Sequence, residues 1–573
     1  MLRWISTALL VCFPTAAVAA DPDAPLDLVI VGGRVMDGTG NPWFAADVGI
    51  RDGRIVAIGE LSARDAKRRF DADGKIVCPG FIDLHSHAAE GFLSEDARRR
   101  AAPNLVTQGI TTAVLNPDGY SPLAVPEQKR RLAQGRIGMN AILMVGHNTI
   151  RRETLGENFR RSATPGEIDA MRKLVREGME AGAFGLTAGL EYVPGIWSTP
   201  DEIVALVEEI VPYGGAYIVH ERASGADPMW YVPSRHPPGQ PTMVDNILEL
   251  IDVGRRTKAT VVATHIKARG TDFWGSSGVL IQLIDRARAE GISIYADQYP
   301  YNTSGSDGRI TLIPGWAFGK GAEVTLAPKY PGPKADQPRV DHAALLEKVL
   351  ADDESAADLR KDVAREIVRR GGAENIVVME SPDSTQVGRS LHELARESKI
   401  EPVEMVFKLQ LAGDAHVPGG VRLRGFSMSE ADVEAFAATP WTATATDARI
   451  TLPEDEPDHA RYYGSFPRKI RHYALARRAI SIEHAVRSSS SLPAQILGLR
   501  DRGLIREGFH ADVVVFDPER IRDRATFEDP HRTSVGLDLV LVGGTVVVEH
   551  DQPTGALPGV VIENAGRKGE PRR

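Results

Sequence analysis

The 573-residue sequence predicts an α/β protein, a (β/α)8 TIM-like barrel inserted into a small β-sandwich formed by both chain ends. Two observations predict it. Residues 26–38 (LDLVIVGGRVMDG) and 538–550 (DLVLVGGTVVVEH) echo one another, each a β-rich run, a Gly-Gly turn and a second β-rich run, the pattern of a hairpin. Between them, eight β-rich runs alternate with helical patterns, as parallel strands joined by helical crossovers do.

Taken in order, residues 1–20 (MLRWISTALLVCFPTAAVAA) have a positive start at Arg3, an apolar stretch and small residues at Ala17-Val18-Ala19-Ala20. That is the build of a signal peptide, so the chain is expected to be exported, periplasmic or secreted. Residues 21–79 form the first part of the sandwich, with a hairpin at 46–58 turning on Asp52-Gly53, and residues 491–573 form the second part, with a strand at 511–517. The barrel occupies 80–490, its strands expected at 81–87, 110–118, 140–147, 183–189, 216–220, 260–265, 292–297 and 442–447. Thr164-Pro165-Gly166-Glu167 and Thr199-Pro200-Asp201-Glu202 combine a capping box with Pro at the first helical position, so helices start there. The strand count is eight only if 305–440 is largely an insertion, a lid over the barrel mouth; within it, 376–380 (IVVME) reads as a ninth strand.

Composition removes whole classes of function. Hydrophobic residues are 42% and charged residues 25%, ordinary for a folded chain, and the net charge of -9 gives no basic footprint for a nucleic-acid partner. No later apolar run reaches the ~18 residues that span a bilayer. Of two cysteines, Cys12 leaves with the signal peptide, and Cys78 reads as a packed core thiol with no disulfide partner.

The chemistry sits at the strand ends. The first run ends His85-Ser86-His87, the second at Asp118, the third at His147, the fifth at His220, the sixth at His265 and the eighth at Asp447. In a barrel these ends converge on one face, and period-two alternation puts His85 and His87 on one side of their strand. One histidine alone is usually a satisfied core residue. Imidazoles and carboxylates that all terminate strands instead suit a divalent metal such as Zn²⁺, one or two ions per chain. Asp118 has a competing role as cap of the Pro117-Asp118-Gly119 turn.

From DLVIVGGRVMDGTG through CPGFIDLHSH, TQGITTAV, GLTAGLEYVPG, THIKARG, DQYPY, VGRSLHELA, FSMSEADV and RYYGSFPR to the Arg500–Asp517 tail and VLVGGTVV, the chain resembles the amidohydrolase superfamily. Within it the sequence is similar to the N-acyl-D-amino-acid deacylases, or D-aminoacylases. The resemblance implies that His85, His87 and Asp447 hold the more buried metal and that His220 and His265 hold a second. It also implies that Tyr192, Lys267 and Tyr299 help bind substrate; His147 is added to that group from its strand-end position. Two departures stand out. The deacylases typically have Gly-Asn-Cys-Gly where this chain has Leu115-Asn116-Pro117-Asp118-Gly119, so Asp118 stands where the ligating thiolate would be. Thr446-Asp447-Ala448 replaces Ser-Asp-Gly.

The expected reaction is hydrolysis of the amide of an N-acyl-D-amino acid, a small-molecule substrate. A bound Zn²⁺ acidifies water and polarises the carbonyl, and Asp447 is placed to move the proton. A dipeptidase and a cyclic-amide hydrolase of the dihydroorotase or hydantoinase kind remain open at this point. A small-molecule binding protein without activity is disfavoured because no ligand position is missing.

Overall fold

The computed structural model describes residues 24–319, 340–456, 459–564 and 566; the expected signal peptide lies outside them, as does part of the expected lid. Eight parallel strand segments follow one another in the chain: Phe81–Asp83, Ile110–Leu115, Asn140–Leu143 continued by Val145–Gly146, Gly185–Gly189, Ala216–His220, Thr260–Ala263, Ile294–Gln298 and Thr442–Thr444. Neighbours pair in that order, with the third strand broken at Met144, so that two sheets share it. The first and eighth strands meet beyond their formal ends. Ser86 bridges Ala448 in parallel, His87 N donates to Ala448 O at 2.9 Å and Asp447 N donates to His85 O at 2.9 Å.

The helices between the strands begin where the sequence signals them. Thr164 caps Pro165–Glu180 with a full capping box, and Thr199 caps Pro200–Ile210 by accepting from Glu202 N. Each buries one stripe against the strands, Met171, Val175 and Met179 in the first, Ile203, Leu206 and Val207 in the second. Such stripes supply most of a helix's stability in a folded chain.

Both chain ends contribute to one nine-stranded sheet. Ile76–Pro79 pairs with Leu28–Val35 on one side and with Val513–Phe516 on the other. Cys78 is buried in that central strand, opposite Val514. The expected ninth parallel strand is Ile376–Glu380, but it pairs antiparallel with Arg422–Gly425 away from the others. Together with helices His342–Leu350, Asp353–Arg369, Leu391–Ser398 and Pro402–Ala412 it surrounds its own core of Leu359, Val363, Ile376, Val378, Phe407 and Leu423. The insertion is therefore a folded α/β unit rather than a loose loop. It is also shorter than expected, because Glu430–Ala437 packs against Ser277–Ala289 as a crossover helix of the parallel strands. The last residues depart from the expectation too: Val561–Ile562 leaves the end sheet and pairs with Ala141 and Ile142 on the third strand. Among the described residues no helix is long and apolar enough to cross a membrane.

The buried amine of Lys469 is uncompensated. Lys469, 2% exposed, lies among the apolar residues next to helix Arg461–Arg468 and has no acidic partner among the described residues. Burial pushes its pKa down to about 7, against ~10.4 in an unfolded chain. Because the unfolded state binds the extra proton between those values, stability rises with pH from about 7 towards 10 and is lost as pH falls through that window. Lys469→Met is expected to raise the thermal midpoint at pH 7 by at least ~2 °C and to flatten its rise between pH 7 and 10. Scanning calorimetry across that range checks it, and a variant with an unchanged pH slope would contradict it.

Candidate metal centre

The strand ends bring six of the ten singled-out residues to one point. His85 Nε2 lies 3.6 Å from Asp118 Oδ1 and 3.6 Å from Asp447 Oδ1; His87 Nε2 lies 3.4 Å from Asp118 Oδ2 and 3.1 Å from Asp447 Oδ1. On the other side of Asp118, His220 Nδ1 is 3.7 Å and His265 Nε2 is 3.6 Å from its Oδ1, and those two nitrogens are 2.8 Å apart. Asp118 thus stands between the two histidine pairs. The backbone is bent to achieve this: Asn116, Asp118, His265 and Asp447 all have φ between 37° and 65°. Non-glycine residues pay for that conformation and keep it where surrounding structure fixes it.

A layer of buried partners sets which ring nitrogen faces inward. Thr264 Oγ1 donates to Asp297 Oδ2 at 2.6 Å, so the 2.6 Å contact between Thr264 Oγ1 and His85 Nδ1 takes the proton of Nδ1. That leaves the lone pair of His85 on Nε2, the atom aimed at the two carboxylates. Glu191, fully buried, accepts from His220 Nε2 at 2.8 Å and leaves His220 Nδ1 facing Asp118. Asp83 accepts from Thr446 N at 2.9 Å, anchoring the turn that carries Asp447. Partners of this kind fix ligand tautomers and ring orientation.

The inward-facing atoms fit a cation. His85 Nε2, His87 Nε2, Asp118 Oδ1 and Asp447 Oδ1 are buried without a hydrogen-bond partner among the described residues, and buried polar atoms rarely go unsatisfied without a reason. The donor set is nitrogen and oxygen only, which suits Zn²⁺ or a harder divalent ion. Electrostatics agree. Burial disfavours charge on His87, but the carboxylates of Asp118 and Asp447 outweigh it and push its pKa up to about 9. Burial also opposes ionisation of Asp447, yet Arg461 and the facing histidines hold it well below the usual carboxylate range. Burial pushes His85 down to about 4.

The other singled-out residues divide. Tyr192 lies against the His220 ring, centroids 4.2 Å apart. Lys267 Nζ is 2.8 Å from His265 Nδ1 and 5.8 Å from the Tyr299 ring, with burial pushing its pKa down to about 8. His147 is a correction. It directly follows the strand segment Val145–Gly146 and opens helix His147–Leu155, but its Nε2 lies 2.9 Å from Glu202 Oε1, a carboxylate that Arg151 also engages. Sequence reasoning missed Arg461: its Nη1 is 2.8 Å from Asp447 Oδ2, and its guanidinium lies 4.6 Å from the Tyr299 ring centroid. It opens the helix after the eighth strand, within the RYYGSFPR run. Glu191, Thr264 and Asp297 were also missed, although Glu191 adjoins Tyr192, Thr264 adjoins His265 and Asp297 lies two residues before Tyr299.

Fold and donor set together define an α/β protein with a divalent-metal centre at the ends of its parallel strands. The amidohydrolase family model matches residues 68–197 and 339–548. A D-aminoacylase from Alcaligenes xylosoxydans xylosoxydans is 31% identical over 94% of this chain and 98% of its own, and an N-acyl-D-glutamate deacylase from the same organism is 30% identical over 95% and 98%. The solved N-acyl-D-glutamate deacylase of Bordetella bronchiseptica, in complex with zinc and a phosphonate mimic of the tetrahedral intermediate, is 29% identical. It superposes with a TM-score of 0.70, covering 94% of this chain and 100% of that one. The chain belongs to the amidohydrolase family.

Asp118→Ala is expected to lower the metal content by at least one ion per chain. Asp118→Asn, which keeps the shape of the turn, is expected to lose metal as well. Elemental analysis of protein equilibrated with excess zinc and then dialysed checks it; full metal content in both variants would make Asp118 a turn residue only.

Proposed function

We propose that this chain is a metal-dependent hydrolase of N-acyl-D-amino acids, releasing a carboxylate and a free amino acid, on a closed (β/α)8 barrel whose ends of chain form a β-sandwich. The observation that carries the reading is the set of four buried, unpartnered atoms on His85, His87, Asp118 and Asp447, converging at the strand ends. Closure of the barrel is supported by the Ser86–Ala448 bridge. The near-full-length likeness to D-aminoacylase and N-acyl-D-glutamate deacylase supports the substrate class.

His85, His87 and Asp447 would hold one divalent ion, His220 and His265 a second, with Asp118 between them. When bound, such ions polarise the scissile carbonyl and acidify water. This chain's residues do the rest. Arg461 engages Oδ2 of Asp447, which leaves Oδ1 free at the centre. Asp447 accepts a proton from the attacking water and delivers it to the departing nitrogen as the carbon–nitrogen bond breaks. Lys267, Tyr299 and Arg461 lie together beside the centre; they receive the substrate α-carboxylate and fix which face of the α-carbon is presented. Tyr192, tilted against the His220 ring, closes the opposite side.

The test compares N-acetyl-D-amino acids, their carboxamides, dipeptides and hydantoins, with and without chelator. Chelator-sensitive turnover of the D-acids, with carboxamides weaker by ~10-fold or more, is the expected result. Preference for hydantoins or dipeptides would replace the reading. In the same assay Asp447→Asn is expected to keep bound metal through the histidines and lose ~10²–10⁴ in kcat. Turnover within about threefold of the parent would remove Asp447 from the proton path.

Export is part of the reading. The charged start, apolar stretch and Ala17–Ala20 segment support removal of residues 1–20. Intact mass spectrometry of protein made in a bacterial host is expected to give a chain starting near Ala20 or Asp21 outside the cytoplasm; full-length protein retained inside would refute it.

A further inference from the structure

We propose that Arg424 recognises a second carboxylate on the substrate, which makes this chain selective for diacids among the N-acyl-D-amino acids. The inference rests on the reading of the reaction above and adds its side-chain or acyl-group preference.

Arg424 lies on strand Arg422–Gly425 of the insertion, and only 2% of the residue is exposed. Its Nε and Nη2 are buried without a hydrogen-bond partner. The charged groups in its surroundings do not supply one. Asp307 is already engaged by Arg370 Nη1, Ser427 Oγ and Ser304 N. Glu528 is exposed, and Arg422 is itself a cation that pairs with Glu380. Other arginines of the insertion are matched: Arg365 and Arg369 with Asp227, and Arg370 with Asp307 and Glu366. Arg424 has no such partner among the described residues, and a buried guanidinium without an acceptor costs free energy that a bound anion returns.

The shape of the site specifies the anion. The Phe426 ring lies 4.3 Å from the guanidinium carbon, and the Phe527 ring packs against it as well. Stacking of this kind holds the guanidinium plane and leaves its edges for hydrogen bonds. The unpartnered edge carries Nε–H and Nη2–H, two parallel donors matched to the two oxygens of a carboxylate. A chain of rings links this guanidinium to the metal centre. Phe527 is 5.0 Å from His459, His459 is 6.3 Å from Tyr299, and Tyr299 lies against Arg461, which touches Asp447. His459 contributes no charge. Burial first, then Arg461 and Arg424, hold its pKa well below the ordinary value, and its ring nitrogens are committed to Thr303 and to Arg461 N. One neutral aromatic wall thus separates two guanidiniums: Arg461 serves the α-carboxylate, and Arg424 takes the second acid.

The second carboxylate belongs either to the amino-acid side chain or to the acyl group, and two substrates separate these sources. N-acetyl-D-glutamate carries it on the side chain and N-succinyl-D-leucine on the acyl group; N-acetyl-D-glutamine and N-acetyl-D-leucine are the neutral references. For the holoenzyme, kcat/KM is expected to favour one of the diacids over its neutral reference. In Arg424→Met, which keeps the aliphatic stack, that ratio is expected to fall ~10–100-fold, and Arg424→Lys is expected to restore it only in part. Thermal midpoints of both variants report folding, and the ratio corrects for any general loss. Thermal stabilisation by N-acetyl-D-glutamate, N-succinyl-D-leucine and N-acetyl-D-glutamine gives a readout independent of turnover. If no N-acyl-D-amino acid is hydrolysed but a diacid-specific shift disappears in Arg424→Met, the reaction is wrong and the anion site stands. If neutral and diacid substrates are hydrolysed equally, or Arg424→Met weakens both equally, the proposal is overturned while the deacylase reading survives.

Discussion

Placing two imidazole nitrogens and two carboxylate oxygens face to face, out of water and without hydrogen bonds among them, is unfavourable unless something binds between them. Much of the surrounding structure exists to hold that arrangement. Thr264 and Asp297 turn the His85 ring, Glu191 turns His220, Asp83 pins the turn before Asp447, and left-handed backbone at Asp118, His265 and Asp447 aims each side chain inward. These partners come from strands one, four, six and seven, so the centre depends on most of the parallel sheet being in register. Site and fold are held by the same bonds.

Residue type and position made most of the centre legible in the sequence. His85, His87, His220, His265 and Asp447 each end a β-rich run, and the end of a parallel strand is a place with a known direction. Asp118 was legible for the same reason, as a departure from a cysteine-bearing pattern. His147 ends its run as the others do, but Glu202 on helix Pro200–Ile210 engages its ring nitrogen, and nothing near His147 in the sequence marks that partner. Arg461 was missed because it lies on a helix, fourteen positions after Asp447 in the numbering, and reaches the centre only through the packing of that helix. The insertion's length was overestimated since a crossover helix and an insertion helix share one 3.6-residue period. The C-terminal pairing of Val561 with Ala141 was hidden for a different cause, since two residues carry no periodicity.

The insertion is tied to the parallel strands by charge as much as by apolar contact. Arg365 and Arg369 both grip Asp227 on the loop after the fifth strand, and Asp362 accepts from Ser234 N and Oγ. These pairs are partly or wholly buried, where screening by salt is weak. They fix the insertion's own core relative to the loops over the centre. That placement gives Arg424 and Phe426 a defined relation to Phe527 and His459, residues from a different part of the chain.

The pairing of the two chain ends has a consequence for how the molecule is made. Pro79 lies opposite Val513 in one ladder and Ala141 opposite Val561 in another, so early strands wait for partners that are synthesised much later. While the nascent chain grows, Ile76–Pro79 presents an unpaired apolar edge, the kind of surface on which chains aggregate. Contacts of such sequence separation also make folding slow, because a long loop must close before they form. A prematurely terminated product would keep every metal ligand yet lack the strands that cover its beginning. Completeness of the polypeptide is thereby written into the fold: translation must finish before the first sheet can.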